Sequence, residues 1–238
     1  RGLGDVYKRQ ICMFIYVLFP TDVLVERYGF IPSMGLNWKS AYRLFTYAFI
    51  HGDMFHLLGN IIMLLTLGVV VEPKLTWKGM TLIFLVSTIS GAVFDYIGRY
   101  ILVVPLDIPL IGVSGYIFGL LMVVALIAPR EKIPTLLLVG TVIIPTLQVL
   151  YYTVLEKLIL ENALLLMIFV TSVLFLASLT VIFFRQVPVI IALPIYFIFW
   201  LLNMFLVIDV ETSHFGHVGG SLGGFLAFFL LKTIFNHN

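Results

Sequence analysis

Three short segments of the sequence contain polar side chains of the kinds that nucleophilic catalysis uses. They are His51-x4-His56-x3-Asn60, Gly112-Val113-Ser114-Gly115 and His214-x2-His217. A serine hydroxyl is a poor nucleophile until a base removes its proton, and histidine is the usual base near neutral pH. Acyl transfer also needs hydrogen-bond donors directed at the oxyanion that develops. The segments together therefore indicate a serine nucleophile, a histidine base and a set of oxyanion donors.

Helical spacing suggests which groups could be the oxyanion donors. His56 and Asn60 are four residues apart, which places them on one face of a helix. Ser114 begins an apolar run, so we expect it at the start of a helix. There its backbone N–H has no partner within the helix and lies at the positive end of the helix dipole.

Glycines at a spacing of four favour close packing of two of the predicted helices. The pairs are Gly115 with Gly119, and Gly220 with Gly224. Such small-xxx-small steps allow helix backbones to approach each other. We expect this approach to bring the ring of His217 to the hydroxyl of Ser114.

The composition indicates the environment of these helices. Of the 238 residues, 61% are hydrophobic and only 11% are charged, and the mean hydropathy is +1.13. Soluble domains have roughly 45–50% apolar and about 25% charged residues, so we predict an integral membrane protein. A net charge of +2 gives no electrostatic case for a nucleic-acid partner. The single cysteine, Cys12, excludes internal disulfides and multi-cysteine metal sites.

Apolar runs predict a multi-pass helical bundle with short loops. The runs are Ile11–Phe19, Met54–Val71, Gly79–Ile97, Gly112–Ala128, Ile133–Leu155, Asn162–Phe184, Val187–Ile208 and Gly216–Phe235. The first run is too short for the roughly 20 residues that cross a bilayer, so it either continues through Val23–Val25 or is incomplete. Residues 1–10 are polar and are interpreted as a non-native or assembly-derived tail, which leaves 11–238 as one membrane domain.

Alternating the direction of these spans places all three polar segments on the same side of the membrane. With the loop after Met54–Val71 inside, six Lys and Arg residues are inside and five are outside, a weak signal under the positive-inside rule. The outer side in this scheme carries Arg43, Asp95 and Arg99. The two helices predicted within 133–184 leave the direction of the last span unchanged, because their number is even.

The three segments resemble the motifs of the rhomboid family of intramembrane serine proteases. Residues 42–60 are similar to the first loop and second helix of that family, 112–115 to its nucleophile motif and 217–224 to its base motif. The resemblance implies an all-α, polytopic membrane bundle with a rhomboid-like six-helix core. A helical hairpin, 133–184, would be inserted between core helices 4 and 5. We expect a multi-pass protein of a prokaryotic cell membrane.

The same resemblance implies roles for individual residues. Ser114 and His217 would be the catalytic dyad, and His56, Asn60 and the Ser114 amide the oxyanion hole. Supporting positions in the family motifs are His51, Arg43, Gly112, Gly115, Phe118, Gly220 and Gly224. Phe118 stands where the family commonly has a tyrosine packed on the catalytic imidazole. The family cleaves transmembrane proteins in the lipid bilayer, at small residues in or near a helix unwound by helix-breaking residues, and uses no metal or cofactor.

Two other functions fit parts of the sequence. A catalytically silent rhomboid-like protein that binds membrane clients would be expected to lack the Ser114–His217 pair, which is present. A membrane metal hydrolase could use His51, His56, His214 and His217. It would lack an in-span carboxylate or cysteine ligand and an HExxH pattern. The oligomeric state and the identity of the substrate stay open at this point.

Overall fold

The structure, a computed structural model, describes residues 4–134, 186–194 and 213–235. In this part of the chain the α-helices bounded at both ends are α1 (Gly4–Leu18), α2 (Thr21–Tyr28), α3 (Arg43–Thr46), α4 (Met54–Val71), α5 (Trp77–Ile101), α6 (Ser114–Ile127) and α7 (His214–Phe235). Residues 189–194 are also helical. The 3₁₀ turns Pro32–Met34 and Tyr47–Phe49 lie between α2 and α4, and the strands β1 (Lys132–Pro134) and β2 (Gln186–Pro188) form a small ladder. The predicted all-α, polytopic membrane bundle is confirmed.

Three of these helices are long and apolar enough to cross a membrane. They are α4, α5 and residues His214–Thr233 of α7. Helix α6 is also apolar but has only 14 residues, about 21 Å of helix, against a hydrocarbon core about 30 Å thick. The charged residues Arg130 and Glu131 follow the C-terminal end of α6. If they mark one membrane surface, the N-terminal end of α6 lies inside the bilayer.

Side-chain caps mark where α4, α5 and α7 begin. In each, the residue before the helix accepts a hydrogen bond from the N–H of the third helical residue. The pairs are Asp53 with His56 (2.9 Å), Thr76 with Gly79 (3.2 Å) and Ser213 with Gly216 (2.9 Å). Such caps satisfy N–H groups that the helix leaves unpaired. Helix α6 differs, because its N-cap residue is Val113, whose side chain has no acceptor.

Glycines set the distance between α7 and its two neighbours. Toward α6, a Cβ atom on a glycine of α7 would overlap a backbone carbonyl group at two positions: Gly220 against Gly115, and Gly224 against Gly119. Toward α5, a Cβ atom on Gly219 would lie 2.5 Å from the carbonyl oxygen of Ser90. The helix backbones are therefore in contact, as the spacing of small residues predicts.

The strands β1 and β2 pair antiparallel, with Ile133 opposite Val187. Both side chains are buried and join an apolar cluster formed mainly by α4, α5 and α6. The prediction that helices begin at Ile133 and Val187 is therefore wrong, because both residues lie in the strand pair. Pro134 and Gln186, the described residues on either side of 135–185, are paired with each other and so lie next to each other. The rest of the predicted insertion 133–184 lies outside the described residues.

The N-terminal region departs from the expectation of a single span through Val23–Val25. Helix α1 begins at Gly4, within the stretch 1–10 interpreted as a tail, so part of that stretch is continuous with the first apolar helix. Helix α1 ends at Leu18 and α2 begins after Pro20, whose backbone is extended (φ −59°, ψ 130°). A single span continuing through Val23–Val25 is therefore wrong, because proline disfavours helix in the residue before it.

Three charged residues that the sequence scheme counted on the outer side of the membrane are buried within the protein. Asp95 and Arg99 lie near the end of α5 and are 0% and 2% exposed, and Arg43, in α3, is 9% exposed. Arg99 Nε donates to Asp95 Oδ1 at 3.0 Å. Because these two side chains neutralise each other at a spacing of four, α5 extends past the predicted apolar run to Ile101.

Candidate active site

The hydroxyl of Ser114 and the ring of His217 are in direct contact. His217 Nε2 lies 2.9 Å from Ser114 Oγ, although the two residues are 103 positions apart in sequence. Ser114 is the first residue of α6, and His217 lies in the first turn of α7. Two helices that begin at the same end of the bundle therefore bring a hydroxyl and an imidazole within hydrogen-bonding distance.

A third helix, α4, approaches the same place through Gly112, two residues before the serine. Gly112 has φ +98°, a conformation that residues with a side chain rarely adopt. A Cβ atom at this position would lie 2.5 Å from Nε2 of His56 and 3.5 Å from Nδ2 of Asn60. The His56 ring and the Asn60 amide therefore lie against the backbone that leads into Ser114, and glycine leaves the room for this approach.

The side-chain amide nitrogen of Asn60 is a buried hydrogen-bond donor. Its side chain is 8% exposed, and within the described residues its Nδ2 has no hydrogen-bond partner. Leaving such a donor unpaired costs roughly 1–3 kcal/mol, so a native structure rarely keeps one without a reason. At this position an oxyanion beside Ser114 would supply the missing acceptor.

His51 packs against His56. Its ring stands edge-on to the ring of His56, with the centroids 5.0 Å apart, and it is 2% exposed. Burial, and to a lesser extent the neighbouring His56, lower the pKa of His51 well below its ordinary value. The His51 ring is therefore uncharged at neutral pH and contributes packing beside His56.

Phe118 lies one turn after the serine and covers the imidazole of His217. The two rings are stacked, with centroids 4.2 Å apart and planes 10° apart. The sequence resemblance suggested this packing for an aromatic ring at position 118. A flat contact of this kind restricts rotation of the imidazole about its Cβ–Cγ bond. It therefore keeps the Nε2 edge of the ring turned toward Ser114.

The backbone before Ser114 is held by hydrogen bonds to the loop between α2 and α4. The Gly112 N–H donates to the carbonyl of Tyr47 at 3.0 Å, and Leu110 and Phe30 exchange two backbone bonds of 2.7 and 3.1 Å. The Tyr47 hydroxyl donates to a backbone carbonyl of α5 at 2.8 Å. Tyr47 therefore connects this loop, the approach to the nucleophile and α5.

Arg43 anchors the same loop from its other end. Its guanidinium donates to the carbonyl of Gly29 and to that of Glu26, each at 2.8 Å, at and just after the last turn of α2. Tyr42 adds a bond from its hydroxyl to the carbonyl of Arg27 at 2.9 Å. These bonds satisfy carbonyls that the end of a helix leaves unpaired, so the contacts of Arg43 are structural.

Three buried residues that bond to the elements around the site were not singled out from the sequence: Tyr47, Asp95 and Ser213. Tyr47 carried no signal, because a buried aromatic side chain is ordinary in an apolar chain. Asp95 did carry one, since opposite charges four residues apart at the end of an apolar helix predict a buried pair with Arg99. Ser213 also did, because a serine before a helical run is a typical N-cap.

The histidines of the metal-site alternative do not gather around one point. Among the residues that the structure describes, no three His, Cys, Asp or Glu side chains are grouped as metal ligands would be. His51 and His56 pack ring against ring, and His217 is paired with Ser114. The described side chains therefore provide no ligand set for a metal ion.

These features define a class: a polytopic helical membrane protein in which a serine and a histidine meet at the N-terminal ends of two helices. A family model, the Rhomboid domain, matches residues 39–164, more than half of the chain. The chain belongs to the rhomboid family and is an integral membrane protein. That family consists typically of intramembrane serine proteases and includes inactive members. No curated protein and no solved structure matches the chain.

Proposed function

We propose that the protein is an intramembrane serine endopeptidase that cleaves transmembrane protein substrates in or near their membrane span. The observation that carries the proposal is the 2.9 Å separation of His217 Nε2 and Ser114 Oγ. Family membership supports the same chemistry, since the family typically consists of proteases. The protein is a multi-pass protein of a prokaryotic cell membrane in this proposal.

Ser114 is the nucleophile and His217 the general base. As Ser114 Oγ bonds to the carbonyl carbon of the scissile peptide, His217 Nε2 accepts its proton and the carbonyl oxygen takes up the negative charge. The imidazolium then gives this proton to the peptide nitrogen as the C–N bond breaks, which leaves an acyl ester on Ser114. His217 next deprotonates a water molecule, whose oxygen bonds to the ester carbonyl carbon. The C–O bond to Ser114 then breaks, the imidazolium returns its proton to Ser114 Oγ, and the acyl group leaves as a carboxylic acid.

The oxyanion formed in both steps is held by three donors. The Asn60 amide is buried with an unpaired Nδ2, and the Gly112 contacts place it with His56 beside the approach to the serine. The Ser114 N–H lies at the first residue of α6, where the helix provides no acceptor and its dipole is positive. Preorganised donors of this kind stabilise the transition state without reorganisation at the moment of reaction.

The position of the site suggests what the substrate must do. Ser114 begins the short helix α6. With the other end of α6 at the membrane surface, about 21 Å of helix would leave Ser114 inside a hydrocarbon core about 30 Å thick. A transmembrane helix has its carbonyl groups hydrogen-bonded internally, so a stretch of it must unwind before Ser114 can attack. Glycine and proline lower the cost of this unwinding, which makes small and helix-breaking residues the expected cleavage context.

Labelling with a fluorophosphonate tests the activated serine directly. Ser114 Oγ would bond to phosphorus as fluoride leaves, so the purified protein in detergent should be labelled and Ser114→Ala and His217→Ala should not. The matched control is Ser87→Ala, which removes a buried serine hydroxyl of α5 that has no partner within the described residues. This control should be labelled normally. An unlabelled native protein, or equal labelling of Ser114→Ala, would contradict the proposal and favour a silent family member.

Cleavage is tested in lipid vesicles with a synthetic transmembrane helix that carries Gly-Ala beside a proline near one end. The native protein should cut this helix within its span, and the Ser114→Ala protein should not. A second helix of the same length, with leucine in place of the Gly-Ala and proline residues, should be cut much more slowly. Cleavage only in the water-exposed ends of the helix would show a protease of a different kind.

A further inference from the structure

A buried polar network lies on α5, beside the start of the helix that carries His217. The carboxylate of Asp95 is 0% exposed, and its Oδ1 accepts hydrogen bonds from Arg99 Nε at 3.0 Å and from the hydroxyl of Ser213. Arg99 also donates to the carbonyl of Pro105 at 3.1 Å. A buried carboxylate is costly unless it is paired, and here each partner satisfies part of its charge.

Ser213 joins this network to α7. Its hydroxyl hydrogen goes to Asp95, while its Oγ accepts from the Gly216 N–H at 2.9 Å and its carbonyl accepts from the His217 N–H at 3.2 Å. The serine therefore caps α7 and ties that cap to α5 across 118 positions of sequence. A hydrogen bond to a carboxylate is stronger than one between neutral groups, which suits a link between two helices.

The hydrogen bond between Asp95 and Ser213 affects the position of His217, because Ser213 and His217 lie one helical turn apart. Ser213 and His217 are four residues apart and are joined by a backbone hydrogen bond, so a shift of the serine moves the histidine with it. The same turn lies close to α5 elsewhere, since a Cβ atom on Gly98 would overlap the ring of Phe215. The contact with Asp95 thus determines where the first turn of α7 sits relative to α5.

We propose that Asp95 is a positioning residue: through Ser213 it fixes the first turn of α7, and so keeps the His217 imidazole in reach of the Ser114 hydroxyl. The inference rests on the proposed function, because it presupposes that His217 acts on Ser114. It assigns Asp95 no contact with the reacting atoms. It differs from a purely structural role in one respect. The bond should matter for the rate of proton transfer more than for stability or for binding of a ligand.

The test compares two N-caps. Ser213→Ala removes the cap of α7 together with its link to Asp95, whereas Thr76→Ala removes the corresponding cap of α5, which accepts from Gly79 within its own helix. Ser213→Thr keeps both the cap and the link. Asp95→Asn keeps the shape of the side chain but removes its charge. For each protein, the maximal rate of fluorophosphonate labelling, the half-saturating probe concentration and the melting temperature in detergent are measured.

Ser213→Ala and Asp95→Asn should lower the maximal labelling rate about tenfold to a hundredfold, with the half-saturating concentration changed less than about twofold. Ser213→Thr should restore the rate, and Thr76→Ala should lower the melting temperature without changing the rate. The double variant Asp95→Asn/Ser213→Ala should be no slower than the slower single variant, because both remove one link. If Asp95→Asn does not fold, the Ser213 pair of variants decides the question.

Three results would overturn the inference. They are a normal labelling rate in Ser213→Ala, an equal loss of rate in Thr76→Ala, and a failure of Ser213→Thr to restore the rate. These outcomes are distinct from failure of the proposed function, which would appear as an unlabelled native protein. A native protein that is labelled through Ser114 while Ser213→Ala keeps its rate contradicts the positioning role alone.

Discussion

The rings of Phe118 and His217 stack with their centroids 4.2 Å apart and their planes within 10° of parallel. Phe118 is one turn after Ser114 on α6, so the residue that covers the imidazole and the residue that binds its edge are carried by the same helix. His217 is therefore held on its face by packing and at its Nε2 by a hydrogen bond.

Replacing Phe118 tests the value of the stack. Phe118→Leu removes the flat contact but keeps an apolar side chain, and should lower the labelling rate of Ser114 about two- to tenfold, the range expected for an aromatic pair. Phe118→Tyr keeps the ring and should stay within about twofold of the native rate. Equal rates for the leucine and native proteins would show that the stack does not hold the imidazole.

Removing the Asn60 amide should separate activity from stability. Asn60→Ala should lower the maximal cleavage rate by about 10²–10³, the usual loss for one oxyanion donor. Its melting temperature should be unchanged or higher, because the variant loses a buried donor that is unpaired within the described residues. Thr66→Ala, a buried polar change on the same helix, should leave the rate unaltered. A large drop in melting temperature together with the rate would show instead that Asn60 is structural.

Adding one methyl group at Gly112 should disable the site. Gly112→Ala would place a Cβ atom 2.5 Å from His56 Nε2 and would also be strained at φ +98°, so a rate loss of about a hundredfold or more is expected. The matched control is Gly35→Ala, which is strained at φ +67° but has nothing within 4 Å of its added Cβ atom. This control should lose some stability and keep its activity. A fully active Gly112→Ala would mean that His56 does not approach the backbone there.

The contact between α6 and α7 can be tested through Gly220. Gly220→Ala would set a Cβ atom against the carbonyl group of Gly115 and 2.9 Å from its Cα, where backbone cannot give way. Such overpacking costs about 1–3 kcal/mol, so the melting temperature in detergent should fall and the labelling rate of Ser114 with it. Gly79→Ala meets the end of a flexible leucine at 3.4 Å and should be as stable as the native protein or slightly more. Equal stability of the two variants would contradict the close packing.

Local sequence pattern was sufficient for much of the fold. The apolar run Met54–Val71 coincides with α4, and the runs Gly79–Ile97 and Gly112–Ala128 match α5 and α6 to within a few residues. The agreement arises because a helix that crosses a bilayer must be apolar and long enough to span its core. Both are properties of a segment by itself. The same local reasoning placed His56 and Asn60 on one helix face, since the period of a helix follows from backbone geometry.

Local pattern was less useful where a residue depends on distant partners. Asp95 and Arg99 were counted as charges of the outer side, but both are buried. They bond to each other, Asp95 also accepts from Ser213, and Arg99 also donates to the Pro105 carbonyl. Ile133 was expected to begin a helix, but it pairs with Val187, more than fifty positions away. The Asp95–Arg99 pair lies within one helical turn and could be predicted from its spacing, but Ser213 and Val187 are remote in sequence, so a local window does not contain them.

The sequence by itself determined the membrane character, most helix positions in the described ranges, and the residue types available for chemistry, because each depends on composition or on spacing within one helix. Only the tertiary structure decided that Ser114 and His217 lie 2.9 Å apart, that Gly112 lies against His56, and that Asp95 reaches the cap of α7. Those relationships arise from packing of glycine backbones and from pairing of buried polar groups between helices, and both require the partner helix to be in place.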